Sequence, residues 1–243
     1  MIKRGSNLLS ESFRGRISKI GFAWSRRSPK EIDAGKELHI IPKTLIYSEV
    51  AKQIVHQNPK LIERFLNLKR QISSGQEAFH GKLKVKDISH SVKGSTASRF
   101  YKLSIENKIF FVKEIIRGRK GPKFYAGYDS PERQIEASMR AKQVLKSNPS
   151  FGEFEVVNNH LAFSGKDNLF VVEDFISGIN VLDIKSSPEL FRKYHSQIEI
   201  FDFKFNRLAD LLKSDKVGDF TAQNVMLVPE TGKFMISDLR LDN

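Results

Sequence analysis

Val217-Gly218-Asp219-Phe220-Thr221-Ala222-Gln223-Asn224-Val225-Met226-Leu227, followed after a short return by Met235-Ile236-Ser237-Asp238, decides how this chain is read. Asp219 and Asn224 stand five positions apart on a segment with the makings of a tight loop, and Asp238 lies fourteen beyond the asparagine. Val225 to Val228 and Lys233 to Ser237 read as two short strands turning at Pro229 to Gly232, so Asn224 and Asp238 fall at the same open end of a hairpin. Two oxygen ligands in that arrangement suit Mg²⁺ shared with phosphate oxygens, and the remaining carboxylate suits a base that orients a hydroxyl.

Upstream of this hairpin the sequence is predicted to run from helices into strands. Ser48 caps a short helix over residues 49–56, and Asn58-Pro59 opens a second, in which Leu61, Ile62, Phe65, Leu66, Leu68 and Ile72 recur at helical spacing. Strands are expected over 82–88, 98–105 and 108–116, the last two joined through Glu106-Asn107 as a tight hairpin. A helix from Glu132 to Ser147 follows, then strands at 154–157 and 169–175, mostly helix over 187–213, and the closing hairpin. Strands, helix, strands, helix and hairpin make an α+β order rather than a doubly wound parallel sheet.

The Val217-Gly218-Asp219 to Asn224 segment resembles the protein-kinase-like superfamily, whose H-[RG]-D-x-x-x-x-N loop is followed by a hairpin and a D-F-G motif. Gly218 is similar to the aminoglycoside-phosphotransferase and small atypical, RIO-type versions of that loop, and Asp238-Leu239-Arg240 stands where D-F-G would be, without the final glycine. Phe111-Val112-Lys113-Glu114 resembles the strand that carries the nucleotide-binding lysine, and Lys113, between Phe111 and Ile115, is expected to point opposite to them. The resemblance covers about residues 88–243. It implies an α+β, two-lobed fold: an accessory region at 1–80, an N-terminal lobe with an antiparallel sheet at 81–176, and a minimal second lobe at 177–243.

The same resemblance implies ATP and Mg²⁺ as cofactors and assigns roles. Asp219 would orient the acceptor hydroxyl, Asn224 and Asp238 would hold Mg²⁺, and Lys113 would hold phosphates while paired with a helix glutamate, Glu136 in preference to Glu132. Gly94, Ser95 and Thr96, between the first two strands, would cover the phosphates. Glu173 and Phe175 would meet adenine through their backbones, with the Val172 side chain at its back. Only five residues follow Asp238, so no activation segment is expected and the second lobe should be minimal. The activity so implied is an ATP-dependent transfer to a protein serine or threonine, or to the protein itself; the alternative acceptor is a small-molecule hydroxyl.

Composition bounds these readings. The 243 residues carry 41 Lys and Arg against 28 Asp and Glu, and contain 19 Phe and no Cys. That supports a packed core and excludes disulfides, thiolate metal sites and cysteine nucleophiles. The six histidines share no ligand spacing, and no apolar run reaches bilayer length, so a protein without membrane contact in the cytoplasm is expected. Residues 1–80 hold 15 basic and 7 acidic side chains and residues 81–129 hold 12 and 4, whereas residues 130–243 hold 14 and 17. A positive first half favours a polyanionic partner. Arg117, Arg119, Lys120 and Lys123 beside Phe124, Tyr125 and Tyr128 suit RNA contact by phosphate pairing and base stacking. The rival function is therefore a nucleic-acid or ribonucleoprotein-binding protein with an ATPase-like or inactive kinase-like half. The basic first 30 residues also resemble an organellar targeting segment.

Overall fold

Nine consecutive residues rich in β-branched and aromatic side chains, Lys108–Ile116, form the strand on which the larger of two main sheets is organised. The computed structural model describes residues 44–91, 98–116, 131–165 and 168–242. These belong to a unit spanning Ile40–Asn243. The expected phosphate-covering residues Gly94, Ser95 and Thr96, the basic and aromatic run 117–128, and the first 30 residues lie outside the described residues.

The larger sheet has seven strands: β1 (Thr44–Ile46), β2 (Glu77–His80), β3 (Leu83–Asp87), β4 (Ser98–Ile105), β5 (Lys108–Ile116), β7 (Asn159–Ser164) and β8 (Asn168–Asp174). Their order is β1-β7-β8-β5-β4-β3-β2, with every neighbouring pair antiparallel. Glu106, at a φ of 55°, supplies the left-handed residue that a two-residue turn between β4 and β5 requires. Strand β7 and the edge strand β2 were not among the strands expected from sequence.

One face of this sheet is covered by two helices, α1 (Glu49–Gln57) and α2 (Leu61–Gln71). Ala51, Ile54, Leu61, Phe65 and Leu68 pack there against Val85, Tyr101, Phe110, Val112 and Val172. The Phe65 ring meets Tyr101, Phe163 and Phe170 edge-on at 5.6–5.8 Å between centroids. Burying side chains of this size contributes about 1.5–3 kcal/mol each by transfer area.

Helix α3 (Pro131–Ser147) follows, and then strand β6 (Phe154–Val156), which joins a second sheet. That sheet has the order β6-β12-β11-β9, built from β9 (Ile179–Asn180), β11 (Val225–Val228) and β12 (Lys233–Ile236); β6 runs parallel to β12. Between β9 and β11 the chain forms α4 (Val181–Ser186), α5 (Pro188–Lys193) and α6 (His195–Ser214). A two-strand pair, β10 (Val217–Gly218) with β13 (Arg240–Leu241), sits beside them. The second sheet and its helices enclose a separate apolar cluster that includes Phe154, Phe201, Leu208, Val225, Phe234, Ile236 and Leu239.

Candidate functional site

The hairpin β11–β12 pairs Val225 with Ile236, and the amide of Ser237 donates to the Asn224 carbonyl at 2.8 Å. Asn224 and Asp238 are thereby held at the hairpin's open end, as expected. Asn224 Nδ2 donates to the Asp219 carbonyl at 2.8 Å, which closes the loop Asp219–Asn224. Asp219 and Asp238 both adopt left-handed backbone, at φ values of 62° and 54°. Such conformations cost energy in non-glycine residues and concentrate at functional sites. Leu239, only 1% exposed, anchors the segment after Asp238 in the second apolar cluster.

The loop enters through Gly218, whose partner across the strand pair is Arg240. A Cβ on Gly218 would overlap the Asp242 carboxylate, so a larger residue there would require that side chain to turn aside. At the other side of the loop, Asn180 Nδ2 donates to the Gln223 carbonyl at 2.6 Å while its Oδ1 caps α4. The loop is thus tied to β13 on one side and to β9 on the other.

Lys113 Nζ makes an ion pair with Asp238, linking β5 of the larger sheet to the end of β12 in the smaller one. The lysine is buried, while the aspartate side chain remains about half exposed. Lys113 and Asp238 are thus linked, through the Ser237 backbone, to Asn224 and Asp219. The expected direction of Lys113 needs correction. Alternation puts residues 111, 113 and 115 on one face, and the stacking of Phe111 on Phe100, which faces Lys113 across the strands, agrees (centroids 5.4 Å apart). Val112 and Glu114 point the other way.

Glu136 does not join this cluster. It accepts a hydrogen bond at 2.6 Å from Arg140, one turn along α3, and is a third exposed. The helix phase turns it toward a cation on its own surface instead of toward the sheet. The side chain of Glu132 lies outside the described residues. Val172 also departs from expectation, because it lies in the apolar cluster under α1 and α2, on the face opposite to Lys113.

Glu173 and Phe175 are placed differently from one another. Glu173 pairs with Phe111 in the β5–β8 ladder, on the Lys113 face, and is only 9% exposed. Burial pushes its carboxyl up to about 7, against the pull of Lys113, with Asp238 and Asp174 adding repulsion. Phe175 is half-buried, and Lys102 Nζ stands 4.6 Å from its ring centroid. Glu173 was expected to act through its backbone; its side-chain burial has no signature in the run Val171-Val172-Glu173-Asp174, since it depends on the register with β5.

The donor set fits Mg²⁺ held jointly with phosphate. Asn224 gives its amide nitrogen to Asp219, leaving Oδ1 for a cation, and the Asp238 carboxylate is partly solvent-facing. Among the described residues no group of three or more His, Cys, Asp or Glu is arranged to hold a metal by itself. Two protein oxygens completed by ligand oxygens is the coordination that Mg²⁺ favours.

On the opposite face, Glu114 is almost fully buried and receives Tyr101 Oη at 2.6 Å, together with Lys69 and Asn168. Burial and the Glu114 carboxylate push the Tyr101 hydroxyl pKa strongly upward. A second polar link joins Ser48, His160 and Asp174, with contacts of 2.8 and 2.6 Å. Burial opposes ionisation of Asp174, but the bonds from His160 and Asn158 hold its carboxyl below the usual range. These groups fasten α1 and α2 to the back of the sheet that carries Lys113.

No family model and no curated protein matches the chain. Among solved structures, the BubR1 kinase domain is similar at a TM-score of 0.41 and 10% identity, over 79% of this chain. The chain spans 59% of the length of that structure. No helix among the described residues is long and apolar enough to cross a membrane.

Proposed function

We propose that the protein is an ATP- and Mg²⁺-dependent phosphotransferase with a two-lobed, protein-kinase-like architecture, of the atypical kind. The observation that carries this reading is the Lys113–Asp238 ion pair between the two sheets, with Asn224 and Asp219 tied to the same loop. A lysine that can hold phosphate oxygens, two oxygen donors and the Asp219 carboxylate come from three chain segments.

In this mechanism Asp219 accepts the hydrogen bond of the acceptor hydroxyl and aims it at the transferred phosphoryl group. Lys113 holds the phosphates by charge, and Asn224 and Asp238 present oxygens to the cation. Mg²⁺, when bound, neutralises charge on the phosphate oxygens. Catalysis of this class rests on positioning and electrostatics rather than on covalent intermediates. The loop's double tether and the buried Leu239 serve that requirement. The acceptor is a protein serine or threonine, including one of this chain's own, in preference to a small alcohol.

Incubation with γ-labelled ATP, alone and with a panel of small alcohols, tests the reading. Label on protein, lost in Asp219→Asn, is the expected result. Rapid transfer only to an alcohol reassigns the acceptor, and absence of any transfer or nucleotide binding removes the activity. The charge asymmetry supports a second role for the basic first half, which would bind RNA or another polyanion. Salt-dependent RNA binding that survives Asp219→Asn and Asp238→Asn is its signature.

A further inference from the structure

We propose that Glu173 is a positioning residue for Lys113, a second carboxylate that takes up the lysine's ammonium when Asp238 is engaged by a cation. The proposal rests on the phosphotransferase reading for its use, though not for its geometry. In the β5–β8 ladder Lys113 lies opposite Val171 and Phe111 lies opposite Glu173. Lys113 and Glu173 are therefore diagonal neighbours on one face of adjacent antiparallel strands, a separation that two long side chains can span.

The Glu173 side chain makes no hydrogen bond or ion pair among the described residues, although the residue is about nine-tenths buried. Buried carboxylates are ordinarily paired. The charges acting on it are those of Lys113, Asp238, Asp174 and Lys142. Asp174 is committed to His160 and Asn158, and Lys142 to Asn158, whereas Lys113 shares the face of the sheet on which Glu173 lies. Glu136, the carboxylate expected to hold the lysine, is bonded to Arg140.

Asp238 has two claims on it, the lysine in the present arrangement and a cation in the proposed reaction. A carboxylate drawn to a divalent cation gives up attraction for an ammonium. Glu173 then keeps Lys113 on the correct face of β5, so that its charge stays aimed at the phosphates. In this way one lysine is passed between two acids.

A double-mutant cycle tests this without relying on activity. The single variants Glu173→Gln and Asp238→Asn each leave Lys113 one of these two carboxylates, whereas the double variant leaves it neither. The unfolding equilibrium constant of the double variant is expected to exceed the product of the single effects by about tenfold. The excess should vanish in a Lys113→Met background. Additive singles, or coupling that persists without the lysine, overturns the proposal. Kinetics supply the second readout. Glu173→Gln should raise the KM for Mg-ATP several-fold more than it lowers kcat, Glu173→Asp should restore part of the loss, and Glu136→Gln should match wild type. If Glu136→Gln reproduces the Glu173→Gln kinetic effect, the role belongs to the helix and the proposal fails. Coupling in the cycle with no nucleotide binding by wild type instead removes the phosphotransferase reading while leaving the hold of Glu173 on Lys113 in place.

Discussion

Asn224 donates its side-chain amide to the backbone carbonyl of Asp219 at 2.8 Å, so the proposed metal ligand also sets the shape of the loop bearing the proposed base. The accepting atom belongs to the backbone, so Asp219→Asn leaves this bond intact. Asparagine also tolerates the left-handed φ of 62°. Asp219→Asn should therefore keep the loop closed, bind Mg-ATP, and lose roughly 100-fold or more in phosphoryl transfer. Asn224→Ala loses a hydrogen bond worth about 1 kcal/mol, which lowers Tm by about 2–4 °C, in addition to losing transfer. Thermal melts beside a labelled-ATP assay check both.

Gly178 lies in the connection between β8 and β9. A Cβ added there would stand 2.8 Å from the Leu227 carbonyl oxygen and 3.1 Å from Met226 Cβ. The obstacle is backbone, which cannot swing aside as a side chain can. Gly178→Ala should push β9 off β11 and cost about 1–3 kcal/mol in urea unfolding. Because β11 leads directly from Asn224, transfer should fall in the same variant. A wild-type unfolding curve for Gly178→Ala would contradict the described crossing of these strands.

Lys69 reaches from α2 to the buried Glu114 on β5. Lys69→Met removes the charge that answers this carboxylate while Tyr101 and Asn168 remain as donors. Breaking one side of a buried pair costs about 3–5 kcal/mol, and the remaining donors reduce that toward the lower end. The double variant Lys69→Met/Glu114→Gln should recover much of the loss. Denaturant midpoints of the three proteins measure it, and a neutral Lys69→Met would show that α2 is not fastened to the sheet in this way.

Glu173 makes stability depend on pH. Its carboxyl ionises near 7 in the folded protein against an ordinary value of 4.5. Between those values the folded chain holds a proton that the unfolded chain has released, so stability falls as pH rises through the window. Above 7 this contribution is constant. Urea midpoints measured with EDTA at pH 5, 6, 7 and 8 should decline for wild type and decline less for Glu173→Gln. Parallel curves for the two proteins would show that Glu173 is not responsible.

The parts of the fold legible in the sequence are those written in local pattern. Lys108–Ile116, the Glu106-Asn107 turn and the 225–236 hairpin follow from β-branched and aromatic content and turn chemistry, and the Asn224 and Asp238 grouping follows from that hairpin. Strand β7 carries no period-two pattern, because His160, Leu161, Ala162 and Phe163 are all buried and the alternation of a half-exposed strand is lost. The partner of Glu136 depends on the rotation of α3, and the face of Val172 depends on which side of the sheet α1 and α2 cover. Neither is a property of the residues near them. Ser48 and His160 meet across 112 positions, a contact no spacing rule reaches.

Strand β6 lies parallel to β12, with Phe154 opposite Phe234. During synthesis on the ribosome this strand emerges long before its partner, and nothing upstream of residue 233 can complete the ladder on that side. The larger sheet can close while Phe154 still lacks Phe234 to stack on. A nascent chain of this protein therefore carries β6 unpaired on that side until the 225–236 hairpin is released. The hairpin that supplies β12 to β6 also carries the Asn224–Asp238 end of the site, so the second core and the site draw on one and the same segment.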